Sequence, residues 1–122
     1  MISLLDRLPW RPGRLGTGYR KLRLAGGSWW DAYLLDYPPG SSAPVHVDPL
    51  PGHRHVRASF RLYGEDTLSP SSFWREVERR DGIWEFALLR VGRFVVFRPD
   101  LIDHEVLPSA RRRVVLSVGF AL

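Results

Sequence analysis

RFVVFRPDLIDHEVLPSARRRVVLSVGF, residues 93–120, consists of three apolar runs cut apart by proline-bearing turns. The first run, RFVVFR, is aromatic and β-branched and lies between Gly92 and Pro99. It is the strongest local strand signal in the chain. HEVL (104–107) and RRVVLSVGFAL (112–122) supply two more strands. On a strand side chains alternate between faces, so Arg113, Val115, Ser117 and Gly119 share one side of the last run. Upstream the same signal recurs at 19–25, 31–37, 45–48, 55–63 and 83–89, and ten prolines and eleven glycines keep each piece short. One helix is expected over residues 69–80. Ser69 is its N-cap, Pro70 its first turn, Gly82 lies just past its end, and Phe73, Trp74 and Val77 form its apolar side. Eight strands and one helix in 122 residues predict a single all-β domain, a sandwich or small barrel.

Bulk composition narrows the function. The hydrophobic share is 44% and the charged share 25%, ordinary for a soluble globular chain. No apolar run approaches the ~18 residues of a membrane span. MISLLDRLPW has neither a long apolar run nor a small-residue cleavage site, so no secretory leader is expected there and the expected setting is cytoplasmic, with no membrane partner. The absence of cysteine excludes disulfides, iron–sulfur clusters and thiolate zinc sites. A net charge of +5 admits a nucleic-acid partner. It does not favour one, because the basic residues, all arginine except Lys21, are scattered and their densest cluster is only Arg111–Arg113.

Three of the four histidines fall in YPPGSSAPVHVDPLPGHRH (37–55). His46 with Asp48 and His53 with His55 are both i, i+2 pairs, and on a strand either could converge on one ion given a third ligand such as His104. Two neutral imidazoles and a carboxylate on one side of an octahedral ion suit non-haem Fe(II), leaving positions open for a bidentate co-substrate and dioxygen. His53 and His55 flank a positive charge at Arg54, and no glutamate follows at the cupin spacing, where Ser59 and Phe60 stand. Spacing alone leaves the choice open.

RFVVFRPDLIDHEVLPSARRRVVLSVGF resembles the C-terminal half of a prolyl-hydroxylase-like 2-oxoglutarate/Fe(II) dioxygenase domain. His104-Glu105-Val106-Leu107-Pro108 matches that family's H-E-V-x-P, and Arg113 lies nine positions after His104, where the family places a basic residue. YLLDYPPGSSAPVHVD (33–48) looks like its tyrosine–proline–glycine approach to H-x-D. The resemblance covers about residues 31–120. It implies a minimal double-stranded β-helix, a jelly-roll or cupin-like sandwich. Residues 31–122 would form the β-helix core and residues 1–30 an N-terminal supporting segment.

The resemblance implies that His46, Asp48 and His104 are the metal ligands and catalytic set, His46 and Asp48 coming from one strand. Arg113 would bind the distal carboxylate of 2-oxoglutarate, with Tyr37, Ser117 and Arg61 as further co-substrate contacts. Arg112 has the opposite phase to Arg113, and Arg111 is expected in a turn. Periodicity alone turns Arg57, Ser59, Arg61 and Tyr63 to solvent; the resemblance turns Arg57, Ser59 and Arg61 into the pocket. Arg61 stands near the slot where many relatives hold a tyrosine, so the second anchor falls to Arg61, Arg57 or Tyr63. His53 and His55 are left at the pocket rim. Fe(II), 2-oxoglutarate and dioxygen, with ascorbate as an optional reductant, are the implied cofactors and co-substrates. The implied reaction is hydroxylation or demethylation of a small-molecule or peptide substrate, anionic if the cationic pocket is a guide, with release of succinate and CO2. The aspartyl/asparaginyl-hydroxylase branch often lacks the carboxylate ligand, which Asp48 supplies here. A cupin-like binding module without redox chemistry is the other reading. Members usually carry helices over the larger sheet. Here Trp29, Trp30 and the apolar strand backs need cover from segment 69–80 or from a homodimer partner.

Overall fold

The last strand is the middle of the molecule. In the computed structural model, which describes residues 6–13, 17–79 and 81–122, the strands are β1 (Arg11–Pro12), β2 (Arg20–Gly26), β3 (Trp30–Tyr37), β4 (Ala43–His46), β5 (His55–Tyr63), β6 (Leu68–Ser69), β7 (Trp74–Glu78), β8 (Trp84–Val91), β9 (Phe94–Phe97), β10 (His104–Val106) and β11 (Arg113–Ala121). The β11 strand pairs antiparallel with β3 on one side and β5 on the other. Around it an eight-stranded sheet runs β1-β2-β3-β11-β5-β9-β8-β7, while β4, β10 and β6 form a separate three-stranded sheet.

The core lies where the sheets meet. Tyr37 of the large sheet packs with Ala43 and Val106 of the small one, and Leu35, Tyr19 and Leu68 extend that cluster. A second cluster joins Ala87, Leu88, Val95, Phe97 and Ile102, with Leu68 and Val77 against it. The alternation read along β11 sets the two faces. Arg113, Val115 and Ser117 are buried on the side of the small sheet, and Val114, Leu116, Val118 and Phe120 take the other side.

The helix expected over residues 69–80 is not formed. Residues 74–78 are the edge strand β7, hydrogen-bonded to β8 with Trp74 opposite Leu89 and Glu78 opposite Trp84. Arg80 lies outside the described residues, as do residues 1–5 and 14–16 of the supporting segment. Every named element among the described residues is a strand, so the expected short helices are replaced by sheet. Cap signals are local and are overridden by pairing to β8, which satisfies the backbone while Val77 packs on the core. Phe73 and Trp74, the intended buried side, are exposed. The segment therefore extends the large sheet and does not cover its back. Residues 11–12 and 20–26 extend the opposite edge, with Lys21 opposite Leu35.

Two buried charge clusters tie the strands together. Asp36 is wholly buried and accepts from Arg20 Nε at 2.6 Å and from Arg112 Nε and Nη2 at 2.7 and 2.8 Å. Arg98, also buried, donates to both Asp100 oxygens (2.8 and 2.6 Å), to the His55 carbonyl (3.1 Å) and to Glu85. Asp100 in turn accepts from the His55 backbone N–H at 3.3 Å. The bidentate geometry is the strong form of this pairing.

At Gly64, where φ is +91°, an added Cβ would lie 2.2 Å from the Arg112 carbonyl oxygen and 2.8 Å from the Arg113 Cα. Both are backbone and cannot rotate away. Gly64→Ala is expected to cost about 2 kcal/mol or more, from the strained φ and the overlap, read as a lower denaturation midpoint.

Burial alone would raise the Asp100 pKa. The Arg98 side chain and the His55 N–H outweigh it, and the net direction is below the ordinary carboxylate value. A depressed folded pKa stabilises the fold above the unfolded value, about 3.9, and the contribution is lost as pH falls through the lower folded value. Wild type should therefore lose stability below about pH 4, and Asp100→Asn should flatten that acid limb in pH-dependent urea melts.

Candidate metal centre

His46 and His104 are cross-strand partners, directly opposite each other in β4 and β10. The pairing brings their rings to 4.2 Å between centroids. His46 Nδ1 lies 2.5 Å from the Pro44 carbonyl and His104 Nδ1 lies 3.0 Å from the Ile102 carbonyl. A carbonyl can only accept, so each Nδ1 donates its proton there and each Nε2 is the ring nitrogen left to face Asp48. Phe97 meets the His104 ring edge-on at 5.2 Å and steadies it.

Asp48 is not on the strand. The β4 strand ends at His46, and Asp48 lies in the following loop, its N–H donating to the Pro99 carbonyl at 2.8 Å. That bond turns the carboxylate back toward the histidines. Asp48 Oδ2 is 3.4 Å from His46 Nε2 and 3.2 Å from His104 Nε2. Their ligand atoms all lie within 4.8 Å of one another, so the three residues could hold a metal ion. Two neutral nitrogen donors, pre-oriented by backbone carbonyls, and one carboxylate fit a borderline divalent cation.

The triad opens into a cavity of about 690 Å³ that Tyr37, Leu35, Val106, Val115 and Arg113 also line. That volume is within the usual ~300–1,000 Å³ of small-molecule sites. Arg113 is buried and its Nε has no hydrogen-bond partner. Its guanidinium lies 5.1 Å from the Tyr37 ring centroid, and Tyr37 stacks on Tyr19 at 5.1 Å. Burial pulls the Arg113 pKa down, opposed by Tyr37 and Asp66. Burial pushes the Tyr37 phenol up to about 12, so it stays protonated. Arg112 points to the opposite face, onto Asp36, and Arg111 is exposed in the turn.

Other expected contacts are arranged differently. Arg61 does not line the cavity; its Nη1 donates to the Gly64 carbonyl at 2.6 Å, beside the register shift where Tyr63 and Arg61 face consecutive residues of β11. Tyr63 is exposed. Ser117 is buried in the cavity wall, but its hydroxyl accepts from Arg57 Nε at 2.8 Å and lies 3.4 Å from Ser59 Oγ. Arg57, on the adjacent strand, is the second cation of the wall. Its Nη2 donates to Asp31 at 2.6 Å. It lies over Gly119, where a Cβ would meet its Nη1 at 2.1 Å.

His55 is not at the rim. It is buried, lines the cavity, and its Nδ1 donates to the Asp48 carbonyl at 2.9 Å, while Nε2 faces Arg57 Nη1 at 3.3 Å. It thus links the Asp48 loop to the sheet. His53 is exposed. Tyr19 and Lys21 also line the cavity, although the sequence gives their segment a supporting role only. The shared phase of Tyr19, Lys21 and Arg23 is the signal that could have found them.

No protein-family model matches the chain, and no curated protein matches it. Among solved structures the chain is similar to a Pseudomonas putida prolyl-4-hydroxylase, at 21% identity over 98% of this chain and 80% of that one, with a TM-score of 0.64. It is also similar to the TT1209 protein of Thermus thermophilus, at 22% identity over 96% and 93%, TM-score 0.57. An RmlC-like cupin of Shewanella frigidimarina matches at 19% over 95% and 85%, TM-score 0.55. At such identities the likeness establishes the fold. The chain has the jelly-roll, or cupin, fold, with its candidate metal ligands on the small sheet and in the loop that leaves it.

Substituting any of His46, Asp48 or His104 by alanine should weaken Co(II) binding more than about 100-fold by calorimetry, beyond the 10–100-fold typical of supporting groups. His55→Phe, which removes the bond to the Asp48 carbonyl and the contact with Arg57 but no metal ligand, should fall within that smaller range.

Proposed function

We propose that the chain is an Fe(II)- and 2-oxoglutarate-dependent dioxygenase that hydroxylates or demethylates its substrate, releasing succinate and CO2. One observation carries the reading: a two-histidine, one-carboxylate cluster shares a cavity with a buried guanidinium whose Nε has no partner. A buried cation with an unpartnered donor is costly, and the cost is offset when an anion enters. A planar, bidentate carboxylate suits its donor fork. Among the residues considered, Arg61 drops out as an anchor because its donor is engaged elsewhere.

When bound, iron would supply the activation of dioxygen and the oxidation of 2-oxoglutarate. His46, Asp48 and His104 would hold it, Asp48 offsetting one of its two charges. Arg113 would orient the far carboxylate of the co-substrate, and the protonated Tyr37 keeps a donor available beside it. Leu35, Val106 and Val115 make the surrounding wall apolar and exclude water, which strengthens the charge pairing inside. Lys21 and Arg57 at the same cavity favour a small-molecule or peptide substrate bearing an acidic group. A cytoplasmic setting and optional ascorbate complete the reading. No helix among the described residues is long and apolar enough to cross a membrane.

A cupin-like module that binds metal without oxygenase chemistry has the same fold and would use the same three ligands. The unpartnered Arg113 Nε favours the dioxygenase, since metal binding alone gives a buried cation nothing to do. The carboxylate of Asp48 separates the chain from a branch lacking that ligand, where it would be surplus.

Anaerobic addition of Fe(II) and then 2-oxoglutarate should give a visible metal-to-ligand charge-transfer band. Arg113→Met should raise the 2-oxoglutarate concentration for half-maximal band by about 100-fold, the ~3 kcal/mol range of a charge-assisted bond, with Fe(II) affinity unchanged. A wild-type protein that binds Fe(II) but shows no band would leave the cupin-like module standing.

A further inference from the structure

The back of the large sheet carries an apolar surface that nothing among the described residues covers. The faces follow from strand phase and from the register shift of β8 between Phe86 and Leu88, which brings Phe86 and Trp84 to the same side as Leu89 and Val91. Phe60 alternates with the cavity-lining Ser59, and Phe94, opposite Phe60 in the ladder, alternates with the buried Val95. Val91 is opposite Phe94. On the outer strands Trp74 and Phe86 stack at 6.3 Å, and Trp84 pairs with Glu78. These six residues are each between 40% and 61% exposed. Aromatic side chains of ~150–250 Å² at that exposure present on the order of 500 Å² from the five rings alone. The rings alone thus reach the upper part of the ~300–600 Å² spanned by the largest apolar patch on a typical monomer. With Val91, Leu62 and Leu89 beside them, the patch approaches the ~800 Å² that each partner contributes to a stable complex.

We propose that this face is the interface of a homodimer, two copies stacking the β5-β9-β8-β7 halves of their large sheets back to back. Two features favour a second copy. The area matches what a two-fold, self-complementary contact needs, and stacking sheet on sheet is a standard packing. The charges at the patch are also self-complementary. Glu76 and Glu78 lie on β7, Glu78 at the end where β8 begins with Trp84, and the Gly92–Arg93 turn sits at the opposite end of β8. A two-fold axis in the interface, perpendicular to the strands, sets the acidic end of each copy against the Arg93 end of the other. An anionic membrane would instead meet the two glutamates. The cavity opens on the other side of the sheet, so the interface leaves it free, and the inference does not depend on the proposed chemistry.

Sedimentation or light scattering over a roughly hundredfold concentration range tests it. Wild type should run at twice its 14.0 kDa chain mass. Trp84→Glu and Val91→Glu, two separately exposed positions, should each weaken association at least about 100-fold while keeping the wild-type circular dichroism; either folded variant suffices. Glu78→Arg or Arg93→Glu alone should weaken the dimer, and the two together should restore it. A single-chain mass for wild type throughout, a two-chain mass unmoved by either patch variant, or a monomer that instead sediments with phosphatidylserine vesicles would each overturn the proposal.

Discussion

The register of β11 between β3 and β5 is the constraint on which the rest of the structure depends. Eight consecutive residues, Arg113 to Phe120, each face a residue of β3, and the same strand is paired along most of β5. A slip by one residue would exchange the faces. Arg113 would move to the outer side, where Arg112 now binds Asp36, and the cavity would receive Val114, Leu116 and Val118 in place of a guanidinium and a hydroxyl. The Arg20–Asp36–Arg112 cluster opposes that slip, because Arg112 cannot leave Asp36 without costing a wholly buried carboxylate its bidentate partner, with Arg20 alone remaining. The site's electrostatics are thus set from the other side of the sheet.

Arginine dominates the chain's positive charge, and the structure uses it in two ways. Arg20, Arg98 and Arg112 are engaged by carboxylates within the fold, Arg20 and Arg112 through Asp36 as crosslinks between strands distant in sequence and Arg98 through Asp100 and Glu85. Arg113 instead has an aromatic face beside it and a buried Nε without a hydrogen-bond partner. The net charge of +5 therefore says little about a nucleic-acid partner, since several of the arginines are engaged by carboxylates of the fold. The informative cation is the one the fold does not neutralise.

The all-β sandwich is legible in the sequence because its long strands are strongly alternating and bounded by glycine or proline. HVRASFRLY is β5 with its bounds intact, and the last run is β11. The segment 69–80 misleads for a physical reason. Serine, proline and glycine at helix-stop spacing are local signals, whereas the edge pairing of β7 depends on β8, whose approach no short window contains. In the candidate site, the convergence of His46, Asp48 and His104 can be proposed from spacing and resemblance, because ladder pairing places i and i+2 positions regularly. The position of Asp48 beyond the strand and the burial of His55 depend on Pro99 and on Arg98 with Asp100. Those contacts cross some fifty residues of chain, and HRH read as a motif in isolation does not contain them.

Gly119 gives the sheet a dent, and Arg57 lies in it. The guanidinium is sunk into the wall, where Ser117 and Asp31 hold it. The width of the chamber beside the histidines is therefore governed by a missing methyl group on a neighbouring strand. A chain with alanine there would have to lift a positive charge out of the wall and toward the ligands. Room for a guest and local potential would then change together, so the shape of this chamber and its charge are one inherited property.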